Sequence, residues 1–199
     1  MKSTFIISAI LIVTLIGCDS KPKIELTKEQ AVYETLFLKI IGEAHSKYYL
    51  VETTEANWFK ENPYEESDWL GKLEALGGIN IELIKELYKK NKKSDPINWK
   101  PFITNAHLLP PEYNVNPRKS NKNCLVPSEE GNVNIYKNNK GYRSYFTVSN
   151  VVFSEDGKKA ILKYSRHCAP MSGAGEFFAV FEFVDNQWKV VGGRMLWIS

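Results

Sequence analysis

The sequence predicts an α+β fold: N-terminal helices packed on a curved C-terminal antiparallel β-meander of about five strands. Three observations lead there. Apolar residues recur at helical spacing from Tyr33 to Ala44. The end of the chain is rich in Val, Ile, Phe, Tyr and Trp, in runs divided by short turn sequences. The helical text precedes the strand text and does not alternate with it. The 199 residues suit one domain, and 43% hydrophobic with 25% charged residues is a globular composition. A formal net charge of +3 is too small to indicate nucleic-acid binding.

Thr27-Lys28-Glu29-Gln30 reads as a capping box, with Thr27 as the cap and Gln30 reaching back to it. Behind it, Tyr33, Phe37, Ile40, Ile41 and Ala44, widened by Val32 and Leu36, predict a helix over 28–44. Tyr48-Tyr49-Leu50-Val51 is short, apolar and β-prone, which predicts a strand. From Glu52 to Gly78 the text is irregular, with Asn62-Pro63 and Gly77-Gly78 as breakers and one helical turn over 68–73. A second helix fits Asn80 to Lys90, with Ile81, Ile84, Leu87 and Tyr88 on one side and lysines at the end where they complement the dipole. Residues 91–131 hold Pro96, Pro101, Pro110, Pro111, Pro117 and Pro127, and predict a long loop region with short turns, ordered or in part mobile. Strands follow over Asn132–Tyr136, Tyr142–Ser154, Ala160–Ser165, Glu176–Val184 and Trp188–Ile198. The run Phe178–Phe183 is apolar on both faces, as a central strand covered by helix 28–44 would be.

At the N-terminus, Lys2 precedes an apolar run from Phe5 to Ile16 that is short for a membrane-spanning helix and fits a signal peptide over 1–17. Its end, Leu15-Ile16-Gly17-Cys18, resembles a bacterial lipobox, which implies cleavage before Cys18 and a diacylglyceryl group on its thiol. An ordinary signal peptide or a short anchor with an incidental cysteine is the competing reading. Residues 18–26 are then the lipidated cysteine and a tether, in which Lys21-Pro22-Lys23 opposes early helix formation, and 27–199 form a single domain. Several acyl chains on Cys18 would anchor the domain stably, facing the periplasm or the exterior of a bacterial cell envelope. Asp19 resembles the inner-membrane retention signal of enteric bacteria.

The C-terminal text carries a family resemblance. Val152 to Leu162 resembles a strand pair, Gly173 to Phe178 a glycine-flanked strand, and Asn186 to Ser199 a closing hairpin with terminal Trp197-Ile198-Ser199, all of one widespread group of bacterial exported proteins and lipoproteins of uncharacterised function. Leu83 to Phe102 is similar to that group's Lys-Ser-x-Pro helix end, whereas the Pro-rich text around Cys124 departs from it. The resemblance implies export and an α+β fold. It supplies no catalytic residues.

Cys124 and Cys168 would both stand in an oxidising compartment, where a disulfide between them contributes roughly 4 kcal/mol by chain-entropy reasoning. Two separate thiols are the alternative. The histidines His45, His107 and His167 show no metal-site spacing, and His167-Cys168 would point to opposite faces of a strand. Met171-Ser172-Gly173 lacks the first glycine and the strand-to-helix setting of a nucleophile elbow. A nucleophilic Cys168 needs the free thiol that a disulfide removes. The carboxylates Glu52, Glu55, Glu61, Glu65, Glu66 and Asp68 read as loop solvation rather than a glycosidase pair. Lys89 to Lys93 reads as a solvated helix end, or as a contact for anionic lipid or an acidic partner.

No catalytic residue, metal site or cofactor motif emerges, so the expected role is a lipid-anchored, non-enzymatic binding or accessory domain that engages a protein or envelope component, such as an inhibitor or immunity protein. Trp58, Phe59, Tyr64, Trp69 and Trp99 fall in irregular text and read as core anchors under loops, or in part as a partner-binding surface, for which Trp58, Phe59 and Trp69 are the candidates. The alternative is a small-ligand carrier or enzyme using the concave face of the sheet, with Tyr142, Tyr145, Tyr164 and Arg166 as candidate pocket residues.

Overall fold

The computed structural model describes residues 25–41, 48–55, 81–103, 106–113, 125–128, 131–134, 144–167 and 175–198. The expected signal peptide over 1–17, Cys18, the helical turn expected at 68–73, Trp58, Phe59, Trp69, Cys124, Tyr142 and Cys168 lie outside these residues. Helix α1 spans Lys28–Leu36 behind the predicted capping box: Gln30 N–H donates to Thr27 Oγ1 (3.2 Å), and Thr27 N–H donates to Gln30 Oε1 (3.0 Å). The predicted helix over 28–44 does not continue in regular form. Phe37–Ile41 is a π turn, in which Phe37 and Ile41 are buried while Leu38 and Lys39 face out.

Strand β1 is Tyr48–Val51, and helix α2 is Ile81–Lys90, both as predicted. The proline-rich stretch is not all loop. Among its described residues it contains β2 (Ala106–Leu109), a 3₁₀ turn (Pro111–Tyr113) and β3 (Leu125–Ser128). These strands have four residues each, too few to register as a period against the surrounding prolines. β4 (Gly131–Asn134) pairs antiparallel with β3 in a separate two-stranded sheet, so the expected strand at 132–136 does not join the main one.

The main sheet has seven strands in the order β2-β1-β5-β7-β8-β9, with β6 paired to β7 off that path. Its remaining members are β5 (Tyr145–Val148), β6 (Val152–Phe153), β7 (Lys159–His167), β8 (Gly175–Val184) and β9 (Gln187–Ile198). The fold is α+β, and the sheet is mixed: β1 runs parallel to both β2 and β5, and the other pairs are antiparallel. The expected strand 142–154 is broken at Ser149-Asn150 by side-chain bonds that compete with the ladder. Ser149 Oγ accepts from Lys163 N–H (2.8 Å), and Asn150 N–H donates to Asn91 Oδ1 (2.7 Å). Asp185 and Asn186 turn β8 into β9 with φ of 53° and 60°, the left-handed pair that a two-residue hairpin of type I′ requires.

Each face of the sheet has its own cover. Tyr48, Leu50, Phe146, Val148, Leu162, Tyr164, Ala179 and Phe181 share one face and pack with Val32, Tyr33, Leu36 and Phe37 of the N-terminal helix and with Trp99. On the other face α2 lays Leu83, Ile84 and Leu87 onto Val152, Ile161, Phe178 and Val180. The two-sided apolar run of β8 is thereby explained, since alternate residues lie under α1 and under α2. Among the described residues no helix is long and apolar enough to cross a membrane.

Candidate functional site

Alternate residues of β7 point to one face, so Lys163, Ser165 and His167 lie on the same side as Ile161, which α2 covers. Strand register adds neighbours: Thr147 and Glu176 stand opposite Ser165, and Tyr145 opposite His167. Glu55 arrives from just beyond β1, where its N–H donates to Val148 O (2.7 Å) and carries the side chain over the sheet. A polar cluster results, set between the apolar cluster under α2 and a second one made of Tyr49, Val51, Leu109 and Tyr145.

Lys163 Nζ forms an ion pair with Glu55 Oε2, stands 3.8 Å from Glu176 Oε1 and donates to Ser165 Oγ at 3.3 Å. Thr147 Oγ1 donates to Glu55 Oε1 and lies 3.1 Å from His167 Nε2. A hydroxyl has one proton, already given to Glu55, so His167 Nε2–H is the donor in that contact and the ring is the neutral Nε2 tautomer. The Tyr145 ring stacks on the imidazole with centroids 4.2 Å apart. Glu55 is 4% exposed, and Thr147, Lys163, Ser165, His167 and Glu176 are 2% or less.

Burial dominates the electrostatics. It lowers the Lys163 pKa, against the opposing pull of Glu55 and Glu176. His167 is lowered to about 3, first by burial and then by the charge of Lys163. A buried ion pair of this kind is weak evidence of net stabilisation, because desolvation offsets the attraction, but removing one partner strands the others. Among the described residues no three His, Cys, Asp or Glu side chains gather as a metal would need.

A pH dependence follows. In the unfolded chain His167 takes its proton near pH 6.5, and in the folded chain only near pH 3, so between those values the unfolded state binds more protons. Stability therefore falls as pH drops below about 6.5, by roughly 1 kcal/mol per unit from this residue. Urea denaturation at pH 7, 6 and 5 checks this, with His167→Asn expected to show a shallower acid dependence than the wild type.

The described candidate pocket residues, Tyr145, Tyr164 and Arg166, do not converge on one face. Tyr145 belongs to the polar face, whereas Tyr164 and Arg166 lie on the α1 face, where Tyr164 stacks on Phe177 (4.9 Å) and burial raises its pKa to about 12. Glu55, expected among solvated loop carboxylates, is instead buried against Lys163. The basic run is also partly engaged: Lys90 bridges Glu29 (2.6 Å) and Val151 O (2.9 Å), joining α2 to α1. The sequence signal for the cluster was the alternation Lys163-x-Ser165-x-His167 in a strand whose other residues on that face belong to the core. Glu55 carried no such signal.

No protein-family model, curated protein or solved structure matches the chain.

Proposed function

We propose that the chain is a lipid-anchored extracytoplasmic binding domain, held at a membrane of a bacterial cell envelope through Cys18 and engaging a protein or another envelope component, as an accessory factor or an inhibitor of the immunity type. The observation that supports this reading is the junction of lipobox and domain. Leu15 to Cys18 is followed after eight residues by Thr27, whose capping box opens the folded body. An acylated Cys18 would hold that body against the bilayer, and Asp19 favours the inner membrane. The resemblance of the C-terminal strands to exported lipoproteins agrees with it. On this reading β5 to β9 form a curved meander, bent by the register shifts at Glu176/Phe177 and Val180/Phe181, and Trp58, Phe59 and Trp69 offer the partner surface.

In-cell crosslinking of the anchored protein tests the binding role. The expected result is one dominant stoichiometric protein adduct, reduced when Trp58 and Trp69 are substituted in a folded chain. Nothing above background from a well-anchored sample would shift the reading to a small-ligand carrier or enzyme. That second reading is favoured by one observation, the interior Lys163–Glu55 pair beside His167, because perturbed ionisable groups gather where ligands or reactions are handled. A small molecule released on denaturing the purified protein would support it.

A further inference from the structure

We infer that the groove between α1 and the β8–β9 turn is the domain's lipid-facing surface, seated on the headgroups of the bilayer that holds Cys18; the inference rests on the lipid-anchor reading above. The groove measures about 450 Å³, with α1 and the π turn forming one wall and Phe183 to Trp188 supplying the other. Leu38, 58% exposed, and Phe183, 40% exposed, line it, and they are two of the four large apolar side chains exposed among the described residues. Lys28 and Lys39 line it as well. Neither forms an ion pair among the described residues, so both ammonium groups are available to an anionic surface. One acid, Glu34, shares the lining.

Chain length supplies the geometry. Only eight residues separate Cys18 from Thr27, and fully extended they reach at most about 30 Å. Thr27 is itself part of the groove's wall. An acyl anchor on Cys18 therefore keeps this end of the domain within reach of the bilayer whatever the domain's tilt. Apolar tips flanked by exposed lysines suit an interface where methylenes meet acyl carbons and ammonium groups meet phosphates. The acyl chains give residence at the membrane and the groove gives orientation. The exposed side of α2, with Glu82 and Lys85, is turned away from the lipid.

The test uses the full mature protein, extracted in detergent and reconstituted into vesicles of phosphatidylethanolamine and phosphatidylglycerol, with the former carrying an alkyne tag. A benzoylphenylalanine photocrosslinker replaces Leu38, Phe183 or, as the control, Glu82. Lipid adducts at 38 and 183 are expected at about ten times the yield at 82, and Lys28→Glu combined with Lys39→Glu is expected to reduce them without unfolding the domain, since both lysines are exposed. Equal yields at all three positions, or none, from a chain whose intact mass includes the acyl group would overturn the orientation while leaving the anchor standing. An intact mass without the acyl group would overturn both. In cells, adducts at 38 and 183 to one protein and none to lipid would overturn the proposal in favour of a protein-docking groove.

Discussion

Lys163→Met is expected to lower stability by about 3–5 kcal/mol, because it leaves Glu55 and Glu176 buried without their cation. The methionine nearly preserves volume, so the loss reports the stranded charges more than a cavity. Exposed pairs provide the scale: Lys85→Met removes a bridge to Glu82 whose partners are more than half exposed, and should cost well under about 1 kcal/mol. Combining Lys163→Met with Glu55→Gln should recover part of the loss, because one carboxylate is then neutral. Denaturant midpoints of the four proteins check this. A Lys163→Met variant as stable as the wild type would mean that the cluster is open to solvent.

Trp99→Ala is expected to cost a similar 3–5 kcal/mol, through a cavity at the centre of the α1 face. Trp99 is 1% exposed, meets Tyr33 and Phe37 edge-on at 5.3 Å each, and donates from Nε1 to Val51 O at 2.9 Å. Trp99→Phe keeps most of the ring packing while leaving Val51 O without that donor, and should cost about 1–3 kcal/mol. Thermal unfolding followed in the far ultraviolet separates the two variants. Equal losses would assign the whole effect to the hydrogen bond.

The elements with strong local signals were legible from sequence. The capping box at Thr27, the strand at Tyr48–Val51, the helix ending at Lys90 and the two-sided apolar run of β8 all depend on neighbours a few residues apart. What was not legible depends on distant partners. β2 is a four-residue strand among prolines, and its place is fixed by pairing with β1 more than fifty residues earlier. The break between β5 and β6 comes from Asn150 reaching Asn91 and Asp95. Tyr145, Tyr164 and Arg166 looked like one polar set, but positions 145 and 164 fall on opposite faces once β5 and β7 are in register. Glu55 had the same composition around it as the neighbouring carboxylates that the sequence reads as solvated. Only the chain's path past β1 carries it to Lys163.

The intact mass of the protein extracted from membranes is the most direct test of the central claim, that Cys18 anchors this domain. The account predicts a chain beginning at Cys18 and carrying a diacylglyceryl group, with neither cleavage nor acylation in a Cys18→Ala variant. A full-length chain, or one cleaved elsewhere without lipid, would contradict it.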